Sequence, residues 1–155
     1  MPKKSAGILV YRVRSGEAEV FLVHPGGPFW ARKDAGAWSI PKGEFEIEDA
    51  LAAAQREFKE ETGLEISGAF RALAPVTLKS GKVVYAWAVE GDLDASQVRS
   101  NLFELEWPPR SGKKINVPEV DRGEWFSLQA GQVKINPAQA GFIRELARLL
   151  ELPLD

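Results

Sequence analysis

Near the start of the chain, β-forming residues cluster. Ile8, Leu9, Val10, Tyr11 and Val13 predict a strand over 5–13, and Ser15-Gly16 punctuates it. Ala18 to Val23 predicts a second strand, so the two read as a hairpin. The pattern then breaks. His24 to Ala37 holds Pro25, Gly26, Gly27, Pro28 and Gly36 among Phe29, Trp30, Arg32 and Lys33, which predicts a long loop. Trp38-Ser39-Ile40 is a short extended piece ended by Pro41. Asp49 to Thr62 gives the clearest helix. Asp49 is its expected N-cap and Gly63 its terminator, with good helix formers between. Its buried stripe is expected at Leu51, Ala54 and Phe58.

Further strands are predicted over 70–77, 82–89, 102–107 and 124–127, with a loop over 108–114. A second helix is predicted over 137–150, with Phe142, Leu146, Leu149 and Leu150 on one face. Strands that do not alternate strictly with two helices imply an α+β fold built on a layered mixed sheet.

Composition narrows the chemistry. The 155 residues amount to one domain, expected over 1–155. Cysteine is absent, which excludes disulfides, thiol nucleophiles and zinc–cysteine sites. His24 is the only histidine, so a site with several histidine ligands is excluded within one chain, and His24 itself reads as structural. The 20 basic and 22 acidic residues argue against a nucleic-acid partner. No apolar run suits a membrane span, and Arg12 and Arg14 interrupt the stretch behind Met1-Pro2 too soon for a secretory segment. A cytoplasmic location is the expectation. The near-neutral total hides a division: residues 1–43 carry a net +4, and residues 44–61 a net −5.

The acidic excess has a geometry. On a helical wheel Glu60 and Glu61 fall about 60° and 40° to either side of Glu57, at ~100° per residue. Three carboxylates thus share one face, and the small residues Ala50 and Ala53 above them are expected to leave room for a ligand. Like charges so spaced repel by a few tenths of a kcal/mol, roughly, per pair. A bound hard cation, Mg²⁺ or Mn²⁺, would offset this with oxygen ligands alone. A solvated acidic face balanced by Arg56 and Lys59 is the plainer reading of the same residues.

The segment from Gly43 through Glu48 to Arg56-Glu57-Phe58-Lys59-Glu60-Glu61-Thr62-Gly63-Leu64 closely resembles the Nudix box. Every fixed position of the second half is present, as is the seven-residue spacing from Glu48 to Arg56. One departure stands in the first loop, where four residues rather than five separate Gly43 from Glu48. The resemblance implies the Nudix fold, a mixed sheet sandwiched between helices, α/β/α. It implies an Mg²⁺-dependent (or Mn²⁺-dependent) pyrophosphohydrolase of a nucleoside diphosphate derivative. Glu57, Glu60 and Glu61 would hold the metal, joined by the backbone carbonyl near Lys42-Gly43, and Arg56 would orient the glutamates. A fourth carboxylate often stands six residues before a tryptophan in a closing strand. Here that is Glu119 before Trp125, as general base or extra ligand, with Glu104 and Glu106 as rivals.

Substrate contacts are expected from Lys42 and Gly43, in a Pro-Lys-Gly segment resembling that of the dinucleoside polyphosphate hydrolase branch. Lys82 and Tyr85 are further phosphate candidates, and surface and core positions suit them equally. Phe29, Trp30 and Arg32 could stack on a base, or simply pin their own loop. Family members are often dimers, and the strand over 102–107 with its Pro-Pro exit is an expected pairing edge for a homodimer. Two function classes remain open on the sequence. One is the hydrolase, acting on a dinucleoside polyphosphate, an NTP or another nucleotide-derived substrate. The other is a nucleotide-binding or regulatory module with hydrolysis lost.

Overall fold

A computed structural model describes residues 3–154. The readings that touch Met1, Pro2 and Asp155 lie outside those residues. The hairpin forms as expected: β1 (Lys4–Arg14) and β2 (Glu17–Pro25) pair antiparallel, with Arg14 opposite Glu17. Ser15 and Gly16 both take positive φ, 52° and 78°, the requirement of a two-residue turn that matches strand twist.

β1 is the axis of a mixed sheet. β6 (Val83–Glu90) runs parallel to it, from Lys4 opposite Val83 to Tyr11 opposite Glu90. β9 (Val120–Ser127) closes the other side, antiparallel to β2. The two faces follow the two-residue period of the strands. Ile8 and Val10 point to the side covered by α1 (Ala50–Thr62), while Leu9 and Tyr11 point to the side covered by α2 (Leu128–Lys134) and α3 (Ala140–Leu149). Helices on both faces of one sheet match the α/β/α expectation. Among the described residues, no helix is long and apolar enough to cross a membrane.

Several elements depart from the expected pattern. Lys42–Phe45, expected in a loop, is strand β3, held by pairing with Lys4 to Gly7 of β1. The strand expected over 70–77 splits into β4 (Arg71–Ala72) and β5 (Val76–Thr77), because Pro75 has no N–H to give the ladder. The strand β7 (Leu102–Glu106) is present, but β8 (Lys114–Pro118), part of it expected as loop, folds back on it as a separate hairpin. One edge of the expected dimer strand is therefore already occupied. β9 starts four residues earlier than expected, and α2 has no clear sequence signal because Gly131 interrupts its seven residues. The expected helix over 137–150 is a 3₁₀ turn, Pro137–Gln139, followed by α3.

Phe58 ties α1 to the sheet. It is fully buried and its ring centre lies 6.5 Å from that of Phe21. Phe58→Ala is expected to lower unfolding stability by about 3–5 kcal/mol, read as a lower urea midpoint with an unchanged slope.

Candidate active site

The helix that carries the carboxylates is fixed at both ends. Asp49 accepts a hydrogen bond from the Ala52 N–H at 3.1 Å. Gly63 adopts φ 72° and donates its N–H to the Lys59 carbonyl. Its buried residues are Ala53, Ala54, Glu57, Phe58 and Thr62, whereas Leu51 is only half-buried. The buried stripe is thus rotated toward the acidic face, and Glu57 lies inside it. Ala53 does not leave room for a ligand: it is fully buried against the sheet, and Ala50 packs beside it.

Two carboxyl groups meet the backbone of β3. A Cβ built on Gly43 would overlap the Glu57 carboxyl group, so only glycine allows this approach. One residue earlier, the Lys42 N–H donates to Glu61 Oε1 at 3.1 Å. Burial pushes the Glu57 carboxyl up from its ordinary value, even though Arg56 Nη1 donates to it at 2.8 Å. Burial pushes Glu61 up to about 8, against the lowering effect of the Lys42 N–H bond and ammonium. The Lys42 ammonium is itself driven down by burial, and Glu61 offsets part of this. Arg56 spans the outer part of the face, bonding Glu48 at 2.5 and 3.1 Å and Glu60 at 3.3 Å. Its own proton is held more firmly than usual, chiefly by Glu48.

The three box carboxylates share a face but do not converge. Among the described residues, no three acidic or histidine side chains gather closely enough to grip an ion. Arg56 draws Glu57 and Glu60 one way, and the Lys42 N–H draws Glu61 another. The donor set nevertheless suits a hard divalent cation. It is all oxygen, and burial strains Glu57 and Glu61 in the direction that a cation relieves.

Glu119 faces the same place. A cleft of about 110 Å³ is lined by Pro25, Ser39, Lys42, Glu61, Glu119 and Val120, among others. The backbone of Glu119 is clamped: its N–H donates to the Asn101 carbonyl at 3.0 Å, and its carbonyl accepts from Gly26 at 2.9 Å. The rivals are engaged elsewhere. Glu104 pairs with Lys114 at 3.3 Å, and Glu106 accepts from the N–H groups of Arg110 and Gly112 in the hairpin tip.

The substrate-side candidates separate. Lys42 and Gly43 are at the carboxylates. Lys82 does not line the cleft, because Glu44 takes its ammonium at 2.6 Å. Tyr85 points to the α1 side and packs edge-on against Phe45, 6.2 Å between ring centres, so it belongs with the core. Trp30 packs against the opposite core and against Phe29, with Lys33 Nζ over both rings. Arg32 and Phe29 are exposed on that loop. The loop is pinned: Asp34 holds Lys134 and Trp38 Nε1, and the carbonyl of Lys33 contacts His24 Nε2 at 2.7 Å. Glu48 has a role that the sequence does not assign, holding Arg56, and its place in the box, with seven residues between it and Arg56, is the available signal. Ser39 carried no such signal, since only the fold brings it to the cleft.

The NUDIX domain family model matches residues 1–146. No curated protein matches by sequence. Among solved structures, the chain is similar to an Ap4A hydrolase of C. elegans in a binary complex, at 21% identity and a TM-score of 0.65, covering 96% of this chain and 98% of that one. It is also similar to the NUDIX domain of Shewanella oneidensis NrtR complexed with ADP ribose, at 14% identity and a TM-score of 0.65, covering 97% and 89%. A mutT/nudix family protein from Listeria innocua gives 13% identity and a TM-score of 0.63, covering 97% and 96%. At these identities the likeness concerns the fold.

Two outcomes are expected from the geometry. In metal-free protein, the folded state retains the Glu61 proton up to about pH 8, whereas the unfolded chain releases it near 4.5. The stability that this group contributes should therefore be full below pH 4.5 and be lost as pH rises through 8. Urea midpoints measured from pH 5 to 8.5 should fall in the wild type and fall less steeply in Glu61→Gln. Gly43→Ala, by forcing the Glu57 carboxyl away, should cost about 1–3 kcal/mol in the same assay.

Proposed function

The chain belongs to the NUDIX domain family, and from that membership we propose that it is a single-domain hydrolase, over residues 1–155, of a diphosphate linkage in a nucleotide derivative. The observation that carries this reading is the pair of strained carboxylates, Glu57 and Glu61, set against the Lys42–Gly43 backbone with Glu119 lining the same cleft. Glu57, Glu60, Glu61 and the Lys42 carbonyl would hold Mg²⁺ or Mn²⁺, once the carboxylates turn from Arg56 and the Lys42 N–H toward the ion. When bound, the ion neutralises charge on the diphosphate and acts as a Lewis acid.

The chain's own residues supply the rest. Arg56 holds Glu48, Glu57 and Glu60 in one array and so keeps them oriented in the absence of ligand. Glu119 takes a proton from the attacking water as that oxygen bonds to phosphorus. The bridging P–O bond breaks, and its electron pair leaves with the departing phosphate. Lys42, half-buried beside Glu61, offers a point charge to a phosphate oxygen. The pinned loop presents Phe29, Trp30 and Arg32 for the organic part of the substrate. Lys82 and Tyr85 have no substrate role in this reading, since Glu44 and the core engage them. A dinucleoside polyphosphate or an NTP is the substrate class, and the site is taken to be cytoplasmic.

The test is a panel of dinucleoside polyphosphates, NTPs, oxidised NTPs, ADP-ribose and inositol pyrophosphates. Phosphate-product release should require Mg²⁺ or Mn²⁺. Glu60 is exposed, so Glu60→Gln should fold normally, yet lose about 100-fold or more in kcat on the best substrate. Equal inactivity of wild type and variant across the panel would instead favour a nucleotide-binding module.

A further inference from the structure

His24 lies outside the chemistry proposed above, yet it is fully buried and makes two polar contacts. Nδ1 lies 3.0 and 3.1 Å from the two carboxyl oxygens of Asp121, and Nε2 lies 2.7 Å from the Lys33 carbonyl oxygen. The carbonyl only accepts, so Nε2 carries a proton. The Nδ1 contact needs a second proton, held between ring and carboxyl. The ring is sealed by Trp38, edge-on at 5.0 Å. A buried group with both ends satisfied is a tether, and it links β2, β9 and the loop over 24–37.

The tether sits on a fault in the sheet. His24 pairs with Arg122, but Pro25 pairs with Val120, so Asp121 is an extra residue in β9. This is a β-bulge, and it changes the phase of the strand. Arg122 lays its guanidinium over Trp38, on the α2 and α3 face. Val120, two residues away, packs in the core on the α1 face. In a regular strand, residues two apart would share a face. Closing the bulge by one residue would therefore turn Val120 and everything upstream to the other side, Glu119 included.

We propose that His24 and Asp121 are positioning residues: their contact locks the bulge in the phase that aims Glu119 into the cleft with Glu61 and Lys42. The proposal rests on the reading of Glu119 as the base. His24 also holds the loop whose Gly26 N–H binds the Glu119 carbonyl, so the residue is fixed from two directions. The bulge explains why a partly exposed aspartate is drawn against a wholly buried imidazole.

Because Asp121 is partly exposed, Asp121→Ala should fold where a His24 truncation need not. Its kcat should fall about 10- to 100-fold while KM stays within about twofold, as for a base displaced by about 1 Å. Asp121→Asn, which keeps an acceptor for Nδ1, should recover most of the loss. On a Glu119→Gln background, Asp121→Ala should add less than about a twofold further loss, since both act through one group. A full additional loss on that background, or wild-type kcat with a lowered urea midpoint, overturns the proposal. The single histidine permits a readout independent of turnover. Its NMR spectrum should show two slowly exchanging ring protons, one of them lost in Asp121→Ala, together with a shifted Glu119 amide. One protected ring proton in the wild type, or an unmoved Glu119 amide in the variant, refutes the lock even if no substrate is found. An inactive wild type with the lock intact refutes the hydrolase reading, and with it the assignment of Glu119 as base, but not the lock.

Discussion

The site depends on a side chain that is missing. Gly43 lets the Glu57 carboxyl settle against the backbone of β3, at a distance that a Cβ would forbid. That approach sets the spacing between helix and strand. Once α1 lies this close, Glu61, one turn further along, falls within reach of the Lys42 N–H. The register of β3 on β1 matters equally. Ala6 stands opposite Gly43, so the glycine faces α1, and Phe45 enters the core two residues on. A shift of one residue would present Lys42 or Glu44 to the helix instead.

The electrostatics show which effect prevails at each carboxylate. Glu57 has an arginine at 2.8 Å and is still pushed upward, because burial outweighs the ion pair. Glu61 is raised further, although a backbone N–H and the Lys42 ammonium both oppose it. Glu44, exposed and paired with Lys82, moves the other way. Carboxylates held against their preference are expected where chemistry needs a cation nearby. Arg56 limits the cost at Glu57 while also pairing with Glu48 and Glu60, but it keeps Glu57 and Glu60 from meeting Glu61. The arrangement thus accounts for both the fit to a hard ion and the lack of a closed three-carboxylate cage.

Much of this was legible in the sequence where local rules suffice. The hairpin, the capped helix and the strand over 82–89 follow from period, turn residues and propensity, whereas its parallel pairing with β1 does not. The box named the carboxylates and their arginine, and the spacing to Trp125 singled out Glu119. What remained hidden depends on distant pairing. β3 is too short to announce itself and exists because β1 accepts it. β8 begins with Lys114, directly after Lys113, and is a strand only because β7 pairs with it. The bulge at Asp121 breaks the alternation that would have extended β9 to Val120. The misplacement of Ala53 has a related cause: a helical wheel gives angles between residues, but not which angle faces the sheet.

The short box loop can now be weighed. A box loop one residue short is the one sequence feature that favours a module without hydrolysis, because the resemblance places that loop at the metal and phosphate pocket. The loss falls between Phe45, which ends β3 in the core, and Asp49, which caps α1. Ile47, between them, is fully exposed. Glu48 still reaches Arg56 with two hydrogen bonds, and Gly43 still receives Glu57. The contraction is therefore absorbed in solvent, where a loop changes length at little cost. With that objection removed, what is left on the module's side is the absence of any residue that argues for it. Glu57 and Glu61, meanwhile, retain placements in which burial disfavours their charged forms, the arrangement that a bound cation relieves.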